Sequence, residues 1–304
     1  MKKIIGLIFV CVVLSVGVIF LFKREVVTEL AFSNPVEANQ MSHEQVQIKG
    51  KVNSRTVLLK NLDTNEVILE KNTDKKVAIA SLTKLMTVYL LIQQTDNLAD
   101  PVSISQRTLD DLVVEGASLS GYLAEDTLTT QDLAYGVVLP SGGDAAVTAA
   151  EYVSGSESAF VALMNQTAES MGMNDTHFMN PTGLDEKDHY STVKDLMIFM
   201  DVALKNTVFT TILTTTQYES SPTPYAPEGY YLESTLLKDS ADLSLTNGQI
   251  LGGKTGYTEK AGQCLISLAE VKGQRYLLIT TGANGNALTE QLSVVDARNI
   301  FQSI

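Results

Sequence analysis

Residues 80–87 read Ala-Ser-Leu-Thr-Lys-Leu-Met-Thr, and they open a segment whose apolar side chains recur at helical spacing as far as Ile92. No proline or glycine interrupts this segment, so it predicts a largely buried helix. Ser81 and Lys84 would occupy neighbouring positions on one face of that helix. A serine hydroxyl becomes a nucleophile when a base takes its proton, and a lysine can be that base if burial lowers its pKa. Ser81 and Lys84 are therefore the candidate nucleophile and base.

Strand-like runs lie on both sides of a helical block. Residues 55–60 and 66–70 enclose turn residues and predict a hairpin. Near the C-terminus, the pattern predicts strands at residues 249–253, 262–268 and 275–281 and a closing helix at 288–301. Between the two groups of strands, helices are predicted at residues 130–138, 144–152, 157–171 and 193–205. The expected fold class is α/β of the α+β type: an antiparallel sheet from both chain ends flanked by helices, plus a helical subdomain.

The N-terminal part of the chain divides into an apolar and a polar segment. Lys2 and Lys3 precede an uncharged apolar run at residues 4–22, which as a helix would be about 28 Å long, close to the hydrocarbon thickness of a bilayer. The run continues into Lys23 without a small-residue cleavage pattern, which favours an uncleaved membrane anchor over a signal peptide. Residues 1–22 are thus the expected anchor or signal segment, residues 23–44 a linker, and residues 45–304 the folded domain.

Composition excludes several classes of function. The chain has 35 acidic and 22 basic residues among its 304 and a net charge of −13, which disfavours a nucleic acid partner. His43, His177 and His189 stand far apart, so no metal site is predicted. Cys11 lies in the apolar run and Cys264 in a strand-like segment, so no disulfide is expected between them.

Two further motifs carry side chains suited to acyl transfer. Ser141, in a Ser-Gly-Gly motif before a predicted helix, has a hydroxyl that could relay protons between lysines. Lys254 and Thr255, in a Lys-Thr-Gly motif in or beside a strand, could bind a carboxylate through an ammonium and a hydroxyl. Each motif also has an ordinary interpretation, a helix-start turn for Ser141 and a solvated lysine for Lys254. A second Ser-x-x-Lys, at residues 191–194, precedes a predicted helix and is interpreted as its capping segment.

Together, the order and context of these motifs resemble the serine penicillin-binding proteins that act as D-Ala-D-Ala carboxypeptidases. The similar stretches are residues 80–87, 139–146, 180–184, 189–192, 253–258 and 261–262. The resemblance covers most of the domain and implies a β-lactamase/transpeptidase-like fold that uses no cofactor.

This resemblance also implies a role for each motif. Ser81 would attack the penultimate D-Ala carbonyl of a peptidoglycan pentapeptide with Lys84 as general base, and water would later hydrolyse the acyl-enzyme. Ser141 would help pass a proton to the leaving amine, and β-lactams would acylate the same serine as covalent inhibitors. The implied substrate-binding residues are Lys254, Thr255, Gly256 and Tyr257. Backbone N–H groups of Ser81 and Tyr257 would form the oxyanion hole.

Two departures from the family pattern stand out. The second motif of the family usually reads Ser-x-Asn, whereas Gly143 occupies the third position here, so the amide that would contact the lysine and the substrate carbonyl is missing. The arginine that often follows the last of these strands is also missing from residues 282–286, and Arg275 is no obvious replacement.

Rival hypotheses use the same serine. A β-lactamase would need a placed carboxylate for deacylation, for which Asp185 and Glu186 are candidates by position alone. A non-enzymatic alternative is a catalytically weak β-lactam sensor or wall-binding module. The glycine at position 143, where the family usually has an asparagine, suggests this alternative. Because peptidoglycan lies outside the membrane, the expected location is the cell membrane, as a single-pass protein with its domain extracytoplasmic, or secreted after cleavage.

Overall fold

A six-stranded antiparallel sheet made from both ends of the folded unit Gln45–Ile304 organises the fold. The structure, a computed structural model, describes residue 48 and residues 50–240 and 242–304. The predicted anchor at residues 1–22 and linker at 23–44 lie outside the described residues. The strands are β1 (Thr56–Asn61), β2 (Val67–Lys71), β3 (Pro101–Val102), β4 (Leu128–Thr129), β5 (Gln217–Glu219), β6 (Tyr231–Glu233), β7 (Ser244–Leu245), β8 (Gly248–Thr258), β9 (Gly262–Val271) and β10 (Gln274–Ala283).

The large sheet has the order β2-β1-β10-β9-β8-β7, while β3 pairs with β4 and β5 with β6 in two short ladders. The two chain ends meet where β1 runs antiparallel to β10, from Thr56 opposite Thr281 to Asn61 opposite Tyr276. Every residue of β1 is buried, as expected for a strand covered on both faces. The predicted sheet from both chain ends, flanked by helices, is confirmed.

Eight α-helices complete the described part of the chain. They are α1 (Lys84–Gln94), α2 (Gln106–Val114), α3 (Thr130–Val138), α4 (Gly143–Ser154), α5 (Glu157–Met171), α6 (Val193–Ala203), α7 (Thr207–Thr214) and α8 (Leu292–Phe301). The sheet separates two hydrophobic cores. Leu58 packs into the core formed with α1 and α3 to α7, whereas Val57 and Leu59 pack into the core formed with α8. This alternation follows from the two-residue period of a strand.

Some elements differ from the sequence prediction. Helix α8 begins at Leu292 rather than residue 288, because Asn286 Oδ1 accepts hydrogen bonds from the Leu288 and Thr289 amides and closes a separate turn first. Helix α7 was not predicted, since its threonine and β-branched residues favour strands. It forms because Asn206 caps its N-terminus and its buried side chains recur at helical spacing: Phe209, Ile212 and Leu213.

Among the described residues, no single helix has the length and apolar character to cross a bilayer. Helices α6 (Val193–Ala203) and α7 (Thr207–Thr214) together have the length and apolar composition of a membrane span, but the chain bends by 117° between them.

Candidate active site

The first Ser-x-x-Lys motif lies where a 3-10 helix, Ala80–Thr83, continues into α1. Ala80 adopts a left-handed backbone conformation, φ 49°, which is costly for a residue with a side chain and is often found at functional sites. This turn leaves Ser81 half-buried while Lys84 is buried. The Lys84 Nζ lies 3.0 Å from the Ser81 Oγ, so the two predicted side chains are in hydrogen-bond contact.

Burial determines the proton affinity of Lys84. Desolvation lowers the pKa of Lys84 to about 7, partly offset by the negative charge of Asp144. A large fraction of this amine is therefore neutral near neutral pH and can accept a proton from Ser81.

A second serine–lysine pair faces the first. Ser141 also has a left-handed backbone, φ 67°, and its Oγ accepts a hydrogen bond of 2.8 Å from Lys254 Nζ. Lys254 is completely buried and also donates to the Thr255 carbonyl at 2.8 Å. Burial, and after it the neighbouring Lys84, hold the pKa of Lys254 well below its ordinary value. The solvated-lysine interpretation of Lys254 is therefore wrong.

The Lys-Thr-Gly motif lies within β8, beyond the short pairing of that strand with β7. At Gly256 the strand passes close to the backbone of Ser81, the candidate nucleophile. A Cβ at this position would lie 2.9 Å from the Ser81 backbone nitrogen, so a glycine is needed for this approach. Thr255 Oγ1 lies 2.5 Å from the hydroxyl of Thr235, a residue that no sequence motif identifies. Tyr257 follows on the same stretch of strand.

Gly143 is the first residue of α4 and is closely packed. Its N–H donates to the Ser118 carbonyl at 2.7 Å, and a Cβ there would lie 3.2 Å from both the Ala117 Cβ and the Ser118 oxygen. Lys84 has a backbone acceptor elsewhere: its Nζ donates to the Thr182 carbonyl at 2.8 Å.

That carbonyl belongs to a turn at residues 180–183. Asn180 Oδ1 accepts hydrogen bonds from Thr182 N at 3.2 Å, Thr182 Oγ1 at 3.0 Å and Gly183 N at 2.7 Å. Gly183 has φ 83°, and a Cβ there would lie 1.9 Å from the Ala80 carbonyl oxygen. The turn therefore packs directly under the nucleophile, and no larger residue fits at Gly183.

His189 links this region to the nucleophile helix. Its Nδ1 accepts from the Met179 N–H at 3.2 Å, so the ring proton is on Nε2, which donates to Thr83 Oγ1 at 2.8 Å. Burial lowers the pKa of His189 to about 4. This histidine is thus buried and hydrogen-bonded on both ring nitrogens.

Other residues considered from sequence lie elsewhere. Lys194, of the second Ser-x-x-Lys, is exposed and pairs with Asp74, and Thr192 caps α6, so the capping interpretation is confirmed. Arg275 pairs with Asp63 of the β1–β2 turn at 3.0 Å. Asp185 is exposed and accepts from Thr258 Oγ1 at 2.8 Å. Among the residues that the structure describes, no three His, Cys, Asp or Glu side chains are grouped to hold a metal ion.

A cleft of about 1070 Å³ opens beside the reacting residues, and Thr182 and Tyr257 line it. Most of its charged lining is acidic: Asp111, Glu115, Glu151, Glu157, Asp185, Glu186 and Glu259, against Arg107. Burial, Glu115 and Glu151 raise the pKa of Glu157. The field in this cleft is negative and is complementary to cationic rather than anionic groups.

Two contacting serine–lysine pairs beside a sheet edge, with both lysines buried, are the arrangement expected of the class of serine acyl-transfer enzymes. The family model described as D-alanyl-D-alanine carboxypeptidase, peptidase S11, matches residues 39–285, and the chain belongs to this family.

Comparisons with individual proteins agree with this membership. The chain is similar to D-alanyl-D-alanine carboxypeptidase DacF of Bacillus subtilis, with 32% identity over 76% of this chain and 58% of the relative. It is also similar to the D-alanyl-D-alanine carboxypeptidase of Streptomyces strain K15, with 30% identity over 70% of this chain and 75% of the relative. The crystal structure of the Streptomyces K15 DD-transpeptidase superposes with a TM-score of 0.73 at 25% identity, covering 84% of this chain and 98% of that one. The matches to DacF and to Escherichia coli DacC span only 58% and 59% of those relatives.

Proposed function

We propose that this protein is a serine D-Ala-D-Ala carboxypeptidase that removes the terminal D-Ala of peptidoglycan stem peptides through an acyl-enzyme on Ser81. One observation carries the proposal: the buried Lys84 amine, with its pKa lowered to about 7, lies 3.0 Å from the Ser81 hydroxyl. A serine and a lysine in this state form an activated nucleophile without a histidine.

In the acylation step, Lys84 takes the Ser81 proton as Ser81 Oγ attacks the penultimate D-Ala carbonyl. The N–H groups of Ser81 and Tyr257 stabilise the negative charge that develops on the carbonyl oxygen. As the peptide bond breaks, the proton reaches the leaving amine through Ser141, which Lys254 contacts at 2.8 Å. Water then attacks the acyl ester while Lys84 accepts its proton; as the ester bond breaks, Lys84 returns that proton to the Ser81 Oγ, and the shortened peptide leaves as a carboxylate.

Lys254 and Thr255 bind the terminal carboxylate of the substrate. Burial and the neighbouring Lys84 both disfavour the charged form of Lys254 and lower its pKa. An arriving carboxylate favours that charged form, since an opposite charge nearby raises the pKa of an amine. The Thr235 hydroxyl, 2.5 Å from that of Thr255, helps to fix its orientation for this contact. β-Lactams, which carry a carboxylate next to a reactive carbonyl, acylate the same serine.

The apolar run at residues 4–22 supports a location at the cell membrane. The protein is then a single-pass protein with its N-terminus in the cytoplasm and its catalytic domain outside, where peptidoglycan lies. Cleavage after this segment would instead give a secreted enzyme. Protease accessibility of the domain in intact cells, and the mass of the mature N-terminus, distinguish these arrangements.

The activity is tested with the full-length protein in detergent. Wild type, Ser81→Ala and the matched variant Ser191→Ala are incubated with a fluorescent penicillin and, separately, with a peptide ending in D-Ala-D-Ala. We expect covalent labelling and D-Ala release by wild type and Ser191→Ala, and neither by Ser81→Ala. No labelling of the wild type would refute the assignment.

Other results would favour the rival functions. Rapid turnover of a chromogenic β-lactam would indicate a β-lactamase. Labelling by the penicillin without release of D-Ala would indicate a β-lactam sensor or wall-binding module. Because similar proteins carry both carboxypeptidase and transpeptidase names, an added acceptor amine measures transfer against hydrolysis in the same assay.

A further inference from the structure

Asp144 is a buried carboxylate that the mechanism above does not use. It is completely buried, and within the described residues no lysine, arginine or histidine forms an ion pair with it. Both carboxylate oxygens accept hydrogen bonds from one residue: the Ser120 N–H donates to Oδ1 at 2.7 Å, and the Ser120 hydroxyl donates to Oδ2. Because burying a carboxylate without a cationic partner is costly, its retention here calls for a reason.

The first part of that reason is mechanical. Asp144 is the second residue of α4 and directly follows the turn that holds Ser141 in its left-handed conformation. A Cβ at Gly142 would lie 2.7 Å from the Ser120 Cβ and 2.9 Å from the Asp144 Oδ1. The Asp144–Ser120 pair therefore forms the surface on which the Ser141 turn rests, and the turn directs the Ser141 hydroxyl to Lys254.

The second part is electrostatic. Helix α4 packs against α1, so the Asp144 charge acts on the buried Lys84 amine and opposes the effect of burial on its pKa. Two other titratable groups face this pair. Lys254 faces Lys84 and interacts with it unfavourably. Tyr122 faces Asp144, and burial first, then nearby carboxylates, raise the pKa of its phenol, which stays neutral.

We propose that Asp144 is a positioning residue of the active site, acting on Ser141 through the turn it supports and on the Lys84 amine through its charge. The inference rests on the proposed acylation of Ser81. The Asp144 charge keeps Lys84 basic enough to hold a proton, while burial keeps it neutral enough to accept one.

A second carboxylate offers a matched control. Asp296, on α8 in the other core, is also completely buried, and it accepts from the Ser54 N–H at 2.7 Å and the Ser54 hydroxyl at 2.6 Å. The Asn53 N–H donates to its other oxygen at 2.8 Å. Asp296→Asn thus removes a buried, serine-bonded charge of the same kind on the far side of the sheet.

The test measures the rate of acylation by a chromogenic β-lactam as a function of pH in the full-length protein. In the wild type this rate rises with pH around a midpoint near 7, the pKa of Lys84. In Asp144→Asn the midpoint moves to lower pH by at least about half a unit, because the negative charge that stabilises protonated Lys84 is lost. The plateau rate also falls by about tenfold through looser placement of Ser141. In Asp296→Asn the midpoint and plateau stay at the wild-type values.

Ser120→Ala separates the two effects and tests the proposal even if Asp144→Asn does not fold. It keeps the Asp144 charge and the Ser120 N–H but removes one hydrogen bond, so the plateau falls by about three- to tenfold while the midpoint stays in place. An unmoved midpoint in a folded Asp144→Asn, or an unchanged plateau in Ser120→Ala, overturns the proposal. A wild type that is not acylated at all overturns the proposed function instead.

Discussion

The two Ser-x-x-Lys tetrapeptides of this chain, residues 81–84 and 191–194, share a pattern and differ in every physical property that matters for catalysis. In the first, the lysine is buried and its Nζ lies 3.0 Å from the serine Oγ. In the second, the lysine side chain is 61% exposed and pairs with Asp74. Burial lowers the pKa of Lys84 to about 7, whereas Asp74 raises the pKa of Lys194.

Their backbones explain the difference. Residues 81–84 run through a 3-10 turn into α1, so the serine and lysine share one helical face. Ser191 instead precedes the extended N-cap residue Thr192, φ −117°, so it lies outside α6 while Lys194 lies within it. The spacing i, i+3 brings side chains together only when both residues are helical. The same tetrapeptide therefore forms a contacting serine–lysine pair where its backbone is helical and its lysine is buried, and an ordinary surface lysine where they are not.

The largest expected effect comes from removing each lysine in turn. Lys84→Met should lower the acylation rate by about a thousandfold, because the proposed general base is lost while the volume of its side chain is largely kept. Lys194→Met should leave that rate unchanged. Stopped-flow measurements with a fluorescent penicillin compare the two variants. Equal losses in both variants would show that Lys84 and Lys194 do not differ in their contribution to acylation.

The next effect concerns His189, which connects the two regions: its Nε2 donates to Thr83 of the first tetrapeptide, and its backbone lies two residues before the second. Its pKa is about 4 in the folded protein against 6.5 when exposed. The unfolded chain therefore binds more protons than the folded protein between these pH values. The contribution of neutral His189 to the free energy of unfolding is fully present above pH 6.5 and is lost as the pH falls towards 4. The expected loss is about 3 kcal/mol.

Urea denaturation of wild type and His189→Gln across this range measures the effect. The glutamine amide can still donate to Thr83 but does not titrate, so the free energies of unfolding of the two proteins should converge as the pH falls. Parallel curves with a constant offset would mean that His189 is already protonated in the folded state.

A smaller effect is expected from the segments that support each lysine. Asn180→Ala removes the acceptor that orders the turn presenting the Thr182 carbonyl to Lys84. We expect a loss of about 2 kcal/mol in stability and about a tenfold lower acylation rate. Thr192→Ala removes the cap of α6 and should cost about 1 kcal/mol with no change in that rate. A rate unaffected in Asn180→Ala would show that Thr182 does not orient Lys84.

Much of the fold could be predicted because strand and helix periods are local properties of the sequence. The limits of α3 and α5 agree with the predicted ones, and both strands of the first hairpin were found. Helix α2 was not predicted, because Val113 and Val114 are exposed and break the expected apolar period. Its formation depends on tertiary packing that a local pattern does not contain.

For the site, the sequence indicated the residues that carry functional groups but not those that place them. Ser81, Lys84, Ser141 and Lys254 were selected by motif, and the structure brings them together in two contacting pairs. Thr182 acts through its backbone carbonyl, which no side-chain pattern reveals. Asn180 and Asp144 lie in stretches that resemble the family, residues 180–184 and 139–146, but the sequence assigned neither of them a role.

The smallest expected effect concerns the exposed ion pair of the second tetrapeptide. Lys194 and Asp74 lie 2.8 Å apart but are 61% and 72% exposed, so solvent screens their attraction and ordering two side chains opposes it. Lys194→Ala should therefore shift the melting temperature by no more than about 1 °C. Asp74→Ala and the double variant complete a cycle that isolates the pair, measured at low and high salt. A clear coupling that persists at high salt would mean that this lysine, too, is shielded from water, and the contrast with Lys84 would be one of degree.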